Sequence, residues 1–153
     1  MNFGKANLMK NRPSEFSLIS KYFAPLSGEG SFQLRDDAAE IELSPNNNLV
    51  VTQDACAENV HFFGNDPANL IAKKALRVNL SDLAAKGAKP NSFSLALGLG
   101  KDWDEAWVKS FAEGLADDIA RFDIALSGGD TFTTNAGTVI SITAIGEVPK
   151  GTY

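Results

Sequence analysis

Apolar and polar positions alternate with recognisable periods through most of the chain. Ser14 stands before a short helical pattern carrying Phe16, Ile19, Tyr22 and Phe23 on one side, closed by Pro25 and the Gly28–Gly30 stretch. A first strand is expected over Ala38–Leu43, a turn at Pro45 and the Asn46–Asn48 run, and a second strand from Leu49 into Asp54. Asp66 and Pro67 read as cap and first residue of a helix that runs to about Lys86 and stops at Gly87. Residues 92–99 alternate strictly, with Phe93, Leu95, Leu97 and Leu99 on one face. Asp102 and Glu105 form a capping box for a helix whose apolar arc holds Trp103, Trp107, Phe111, Leu115 and Ile119. Strands follow at Ile124–Ser127, ending on Gly128-Gly129-Asp130, and at Thr138–Glu147.

The order α-β-β-α-β-α-β-β predicts an α+β fold: one mixed sheet with two long helices on one face. The opposite face needs its own cover, which a second copy of the chain can supply. Residues 1–13 are polar and patternless and are expected to form a flexible arm ahead of a single domain over 14–153. That domain is large enough for a real core, and the chain is too short for a complete (β/α)₈ barrel.

Composition narrows the chemistry. Apolar residues make up 44% and charged residues 22% of the 153 positions, which excludes wholesale disorder. Fourteen basic against nineteen acidic side chains leave a net charge of −5, which disfavours nucleic-acid and membrane-surface partners. An acidic protein acting on an anionic substrate needs a cation between them, most simply Mg²⁺. The lone cysteine, Cys56, excludes an internal disulfide, and the lone histidine, His61, excludes multi-histidine zinc sites. No signal peptide or membrane span is indicated, so a reducing cytoplasm is the expected location.

Familiar nucleotide motifs fail. Gly98-Leu99-Gly100-Lys101 lacks the spacing and hydroxyl of a P-loop, Gly28-x-Gly30 has no third glycine at position 33, and no Gly-x-Ser-x-Gly elbow occurs. The acids stand out instead. Asp36-Asp37 precede the first expected strand, Asp54 ends the second after Thr52, and Asp130 follows two glycines. Asp82 shares a helical stripe with Ile71, Ala75, Val78 and Ala85, where a buried carboxylate must be paired or metal-bound. Taken singly, each acid also fits a solvated turn, an Asx turn or an ion pair; taken together they suit a hard-cation site. Pattern alone favours His61 as a half-buried histidine with one hydrogen bond, although it also lies where it can meet a substrate phosphate. Cys56 reads as a small packing residue, and Lys73, Lys74 and Arg77 as a solvated helix face.

Several runs together resemble the thiamine-monophosphate kinase family, within the wider AIR-synthase-like superfamily. They are Asp36-Asp37-Ala38-Ala39; Val51-Thr52-Gln53-Asp54 with Glu58, His61 and Phe62; Lys74-Ala75-Leu76; Val78-Asn79-Leu80-Ser81-Asp82-Leu83-Ala84-Ala85; Leu126-Ser127-Gly128-Gly129-Asp130-Thr131; and Gly146-Glu147-Val148-Pro149-Lys150-Gly151. The resemblance covers residues 15–151 and implies transfer of a phosphoryl group from ATP to thiamine monophosphate, giving thiamine diphosphate. It implies several Mg²⁺ ions held by Asp37, Thr52, Gln53, Asp54, Asp82 and Asp130, ATP met by Gly129 and Asp130, and the substrate met by His61. Arg35 stands where the family has glycine, Gln53 where it has threonine and Glu40 where it has an apolar residue. The family pairs this domain into a barrel-like homodimer and continues into a second domain that completes the pocket. The chain alone is therefore expected to be an incomplete and poorly active half of the enzyme. The alternatives are another AIR synthase-like ATP-dependent enzyme and a non-catalytic dimerisation module.

Overall fold

The computed structural model describes residues 12–152. Its elements run α1 (Glu15–Leu18, continued by a π-helical turn over Ile19–Phe23), β1 (Asn47–Ala57), α2 (Ala68–Ala85), β2 (Lys89–Leu99), α3 (Glu105–Phe122), β3 (Ala125–Thr133) and β4 (Val139–Pro149). The sheet order is β1-β4-β2-β3. β4 pairs antiparallel with β1 and with β2, while β2 and β3 run parallel across α3, so the sheet is mixed as expected.

Local chemistry sets the element ends. Ser14 caps α1 by accepting the Ser17 N–H. α2 closes in a Schellman arrangement, Gly87 N–H donating to Ala84 and Ala88 N–H to Leu83. Two expected starts move. Asp66 does not cap α2; its carboxylate instead accepts the Phe63 N–H in the preceding turn. Asp104 rather than Asp102 caps α3, taking the Trp107 N–H at 2.8 Å. Glu105 in the first turn and Arg121 in the last match the helix dipole.

The inner face of the sheet carries Phe93, Leu95, Leu97 and Leu99 of β2 and Ile140, Ile142 and Ala144 of β4, all buried. α2 lies against β1, β2 and β4, and α3 packs on α2. Between the helices, Arg77 grips Asp118 with two charge-assisted hydrogen bonds of 2.8 and 2.7 Å. Asp118 is 1% exposed, so its carboxylate stands inside the helix interface, while Arg77 reaches it from the solvent side at 45% exposed. Of the expected arm, residues 1–11 lie outside the described residues. Arg12 is docked, its guanidinium donating to the Lys101 carbonyl and lying 4.9 Å from the Trp103 ring centre.

The expected strand over Ala38–Leu43 does not form. Its alternating apolar residues find a face rather than an edge, since Ala39 and Ile41 lie towards Ile145 on the side of the sheet away from the helices. Side chains take over the work of a ladder. Glu147, 9% exposed, accepts from the Ser44 N–H and the Asn47 amide at 2.9 Å and from the Asn91 amide at 3.0 Å. Among the described residues no helix is long and apolar enough to cross a membrane.

These donors, the Asn47 amide foremost, hold the Glu147 carboxyl down at about 2. A carboxyl lower in the folded than in the unfolded chain stabilises the fold fully above the ordinary value of 4.5, and the gain is lost as pH falls towards about 2. Glu147→Gln should therefore cost about 1–2 kcal/mol near neutrality and flatten the acid limb of stability below about pH 4.5, read by denaturant titrations across pH.

Candidate functional site

The sheet's outer face and its β1 edge divide the expected site residues into two groups. The first group stands on β1 and α2. β1 alternates, so Thr52 and Asp54 share a face with Ala144 and Ile142 of β4 and turn towards α2. There the Thr52 hydroxyl donates to the Asp82 carboxylate at 2.8 Å. Gln53 faces the other way, its amide reaching the Ser141 hydroxyl at 3.4 Å across the outer face. Asp82 is not buried, as its helical stripe suggested, but exposed. The buried stripe of α2 runs through Ala68, Ala72, Ala75, Asn79 and Leu83 and leaves position 82 at its margin.

The second group lies over the outer face. A cavity of about 730 Å³ opens between α1, the 34–41 segment, and β2 and β3. Asp36, Asp37, Gly128, Gly129 and Asp130 all line it, with Arg35 beside them. Asp130 was expected beyond a strand end, and it is instead inside β3. A bulge makes the difference. Phe93 pairs with Leu126 and Ser94 with Gly128, so Ser127 is an extra residue, its hydroxyl donating to the Phe93 carbonyl at 3.0 Å. Leu126 points inward and is buried, but beyond the bulge it is Asp130 that stands level with Ala96 on the outer face. Gly129 makes the crossing possible at φ 152°, where an added Cβ would lie 1.8 Å from the Leu95 carbonyl oxygen.

Among the described residues no three His, Cys, Asp or Glu side chains converge on one metal position. The two groups hold hard oxygen donors on separate surfaces: Thr52, Asp54 and Asp82 on one, Asp37 and Asp130 on the other.

His61 is exposed rather than half-buried, in a tight turn after β1, with its Nδ1 accepting the Ala57 N–H at 3.0 Å. Cys56 is buried, and that burial pushes its thiol up from the ordinary value, in keeping with a packing role. Arg77 and Lys73 are not merely solvated, being paired with Asp118 and Asp117. Asp118 and Glu147 carry the buried carboxylates that sequence reasoning missed. Asp118 falls on the spacing Phe111-Leu115-Asp118-Phe122, a helical stripe visible in the sequence.

The family model for AIR synthase related protein, N-terminal domain, matches residues 35–148. The thiamine-monophosphate kinase of Caulobacter vibrioides is 45% identical over 141 residues, which is 91% of this chain and 40% of that protein. The crystal structure of the enzyme of that name from Stenotrophomonas maltophilia superposes with a TM-score of 0.71 at 42% identity, over 77% of this chain and 36% of that one. A structure of AaThiL complexed with AMPPCP and TMP superposes with a TM-score of 0.65 at 26% identity, over 96% and 42% of the two chains. The chain thus spans about two fifths of the length of the curated relatives it matches.

Adjacent glycines in β3 should respond differently to one methyl group. Gly129→Ala should cost more than about 2 kcal/mol by denaturant unfolding, because it drives Cβ into the Leu95 carbonyl. Gly128→Ala, with nothing within 4 Å of its added Cβ, should stay within about 1 kcal/mol of the parent.

Proposed function

Because the chain belongs to the AIR synthase related protein family, as its N-terminal domain, we propose that it is the ATP- and metal-binding part of a thiamine-monophosphate kinase. The observation that carries this reading is the cavity lined by Asp36, Asp37 and Asp130, the last preceded by two glycines. Its volume suits a nucleotide. The AMPPCP found in a relative of the same fold is an ATP analogue.

The reaction asks little covalent chemistry of the protein. A phosphate oxygen of thiamine monophosphate attacks the γ-phosphorus of ATP, the bond from that phosphorus to the β-bridging oxygen breaks, and ADP leaves with the electron pair. The attacking oxygen is already largely ionised at neutral pH, so no strong general base is required. What the chain must supply is orientation and relief of charge repulsion, since it is acidic and both reactants are anions.

The donor set fits Mg²⁺. It consists of carboxylate and hydroxyl oxygens, with no thiolate or imidazole among them, and each group has room for phosphate oxygens to complete the coordination. Thr52, Asp54 and Asp82 would hold metal on the β1 edge, and Asp37 and Asp130 in the cavity. Metal held by these residues would neutralise phosphate charge. Gln53 faces the outer surface and joins neither group. His61 meets the substrate phosphate, Gly129 and Asp130 meet ATP, and Arg35 lines the same cavity with a charge that suits a phosphate.

A second copy of the chain would cover the outer face at the β1 edge, where Leu49 is 49% and Val51 55% exposed. Such pairing, in the cytoplasm, is the assembly this reading expects.

Together with the rest of its protein, the chain should form thiamine diphosphate from ATP and thiamine monophosphate, while alone it should turn over poorly. Asp54→Asn and Asp82→Asn should each lower kcat/KM about 100-fold or more in that protein with the fold retained. Absence of product from the complete protein would sink the reading.

A further inference from the structure

The turn that follows β1 is held by more contacts than its closure needs. Asn59 takes the left-handed conformation at φ 63° and donates its N–H to the Phe62 carbonyl at 2.7 Å. His61 N–H returns to the Ala57 carbonyl at 2.9 Å, and Phe62 beneath it is buried. The imidazole closes the same turn from the other side, with Ala57 N–H donating to Nδ1. A nitrogen that accepts carries no proton, so the neutral ring has its hydrogen on Nε2.

Two more side chains secure the turn. The Lys74 ammonium, from the second turn of α2, donates to the His61 carbonyl. Glu58 reaches the start of β4: its N–H donates to the Thr138 carbonyl at 2.9 Å and its carboxylate accepts the Thr138 N–H at 2.7 Å. The space round that carboxylate is cut to fit. A Cβ on Gly64 would lie 2.4 Å from one carboxylate oxygen, and one on Gly137 2.8 Å from the other. Thr138 is itself tied to the end of β2 by the Gly100 N–H.

Resting on the function proposed above, we propose that Glu58 and Lys74 are positioning residues that lock the 57–62 turn, so that His61 offers one fixed donor, Nε2–H, to an oxygen of the phosphomonoester substrate. A free imidazole exchanges between two tautomers. Holding Nδ1 on a backbone N–H removes that choice before the substrate arrives, and an acceptor-rich phosphate is the group such a donor recognises.

Ring-nitrogen NMR of labelled protein, with the His61 signals assigned by their loss in His61→Gln, reads this imidazole. With the ring neutral, the Nε2–H tautomer should predominate in the parent, while Lys74→Met and Glu58→Ala should admit the Nδ1–H form. In the complete enzyme, Lys74→Met should raise KM for thiamine monophosphate about five-fold, with kcat and the KM for ATP within about two-fold, and Lys74→Arg should restore it. A tautomer mixture in the parent overturns the lock. An unchanged KM, or an equal loss in kcat and both KM values, overturns the positioning role. Should the unaltered enzyme make no thiamine diphosphate, the function fails instead, and the tautomer measurement still decides the lock.

Discussion

At Gly146 the inner face of β4 carries no side chain, and the end of α2 and the segment after it come down onto it, with the Lys89 carbonyl oxygen 2.8 Å and Leu83 and Ala88 each 3.3 Å from where a Cβ would stand. That seating fixes the remaining geometry. β4 is bonded to β1 on one side and β2 on the other, so a helix held against it is held against the middle of the sheet. It brings Asp82 to the Thr52 hydroxyl on β1. It also presents Arg77 to Asp118, which ties α3 to α2. The gain from burying this face is large and undirected; the small residues along it turn that gain into position.

The outer face obeys a different logic. Among the described residues no long helix covers it, and the 34–44 segment crosses it under the control of polar contacts, chiefly those of Glu147. α1 is tied to the first turn of α3, where Glu105 accepts from both Lys21 and Tyr22. The cavity lies between these two anchored pieces and the sheet. Its walls are therefore fixed by charge-assisted hydrogen bonds at the surface, whereas its floor is backed by the core.

How much of this could be read from residues alone follows the range of the interactions. Phe93, Leu95, Leu97 and Leu99 declare their strand face by period alone, and α3 declares its arc the same way, because both signals are local. The segment 38–43 carries the same alternation, yet the sheet offers it a face instead of an edge, a fact that depends on residues a hundred positions away. Asp82 is exposed and Asp118 enclosed for a similar reason. Each sits near an apolar stripe, and only the crossing of the two helices decides which carboxylate is enclosed. The pleat does constrain the site in advance: Thr52, Gln53 and Asp54 cannot all point one way, and the structure divides them as a period of two requires. The two halves of the oxygen set were legible as residue types, but their separation across the sheet was not.

Ser127 acts on β3 as a one-letter insertion acts on a reading frame. Upstream, even-numbered positions such as Leu126 look into the core; downstream, even-numbered positions such as Asp130 and Phe132 look out. Were Ser127 to pair in register instead of bulging, the inside and outside of everything after it would be exchanged, with Asp130 turned towards the hydrophobic layer. Substitutions along β3 change the site one side chain at a time, but pairing that closed the bulge with Ser127 in the ladder would invert it whole.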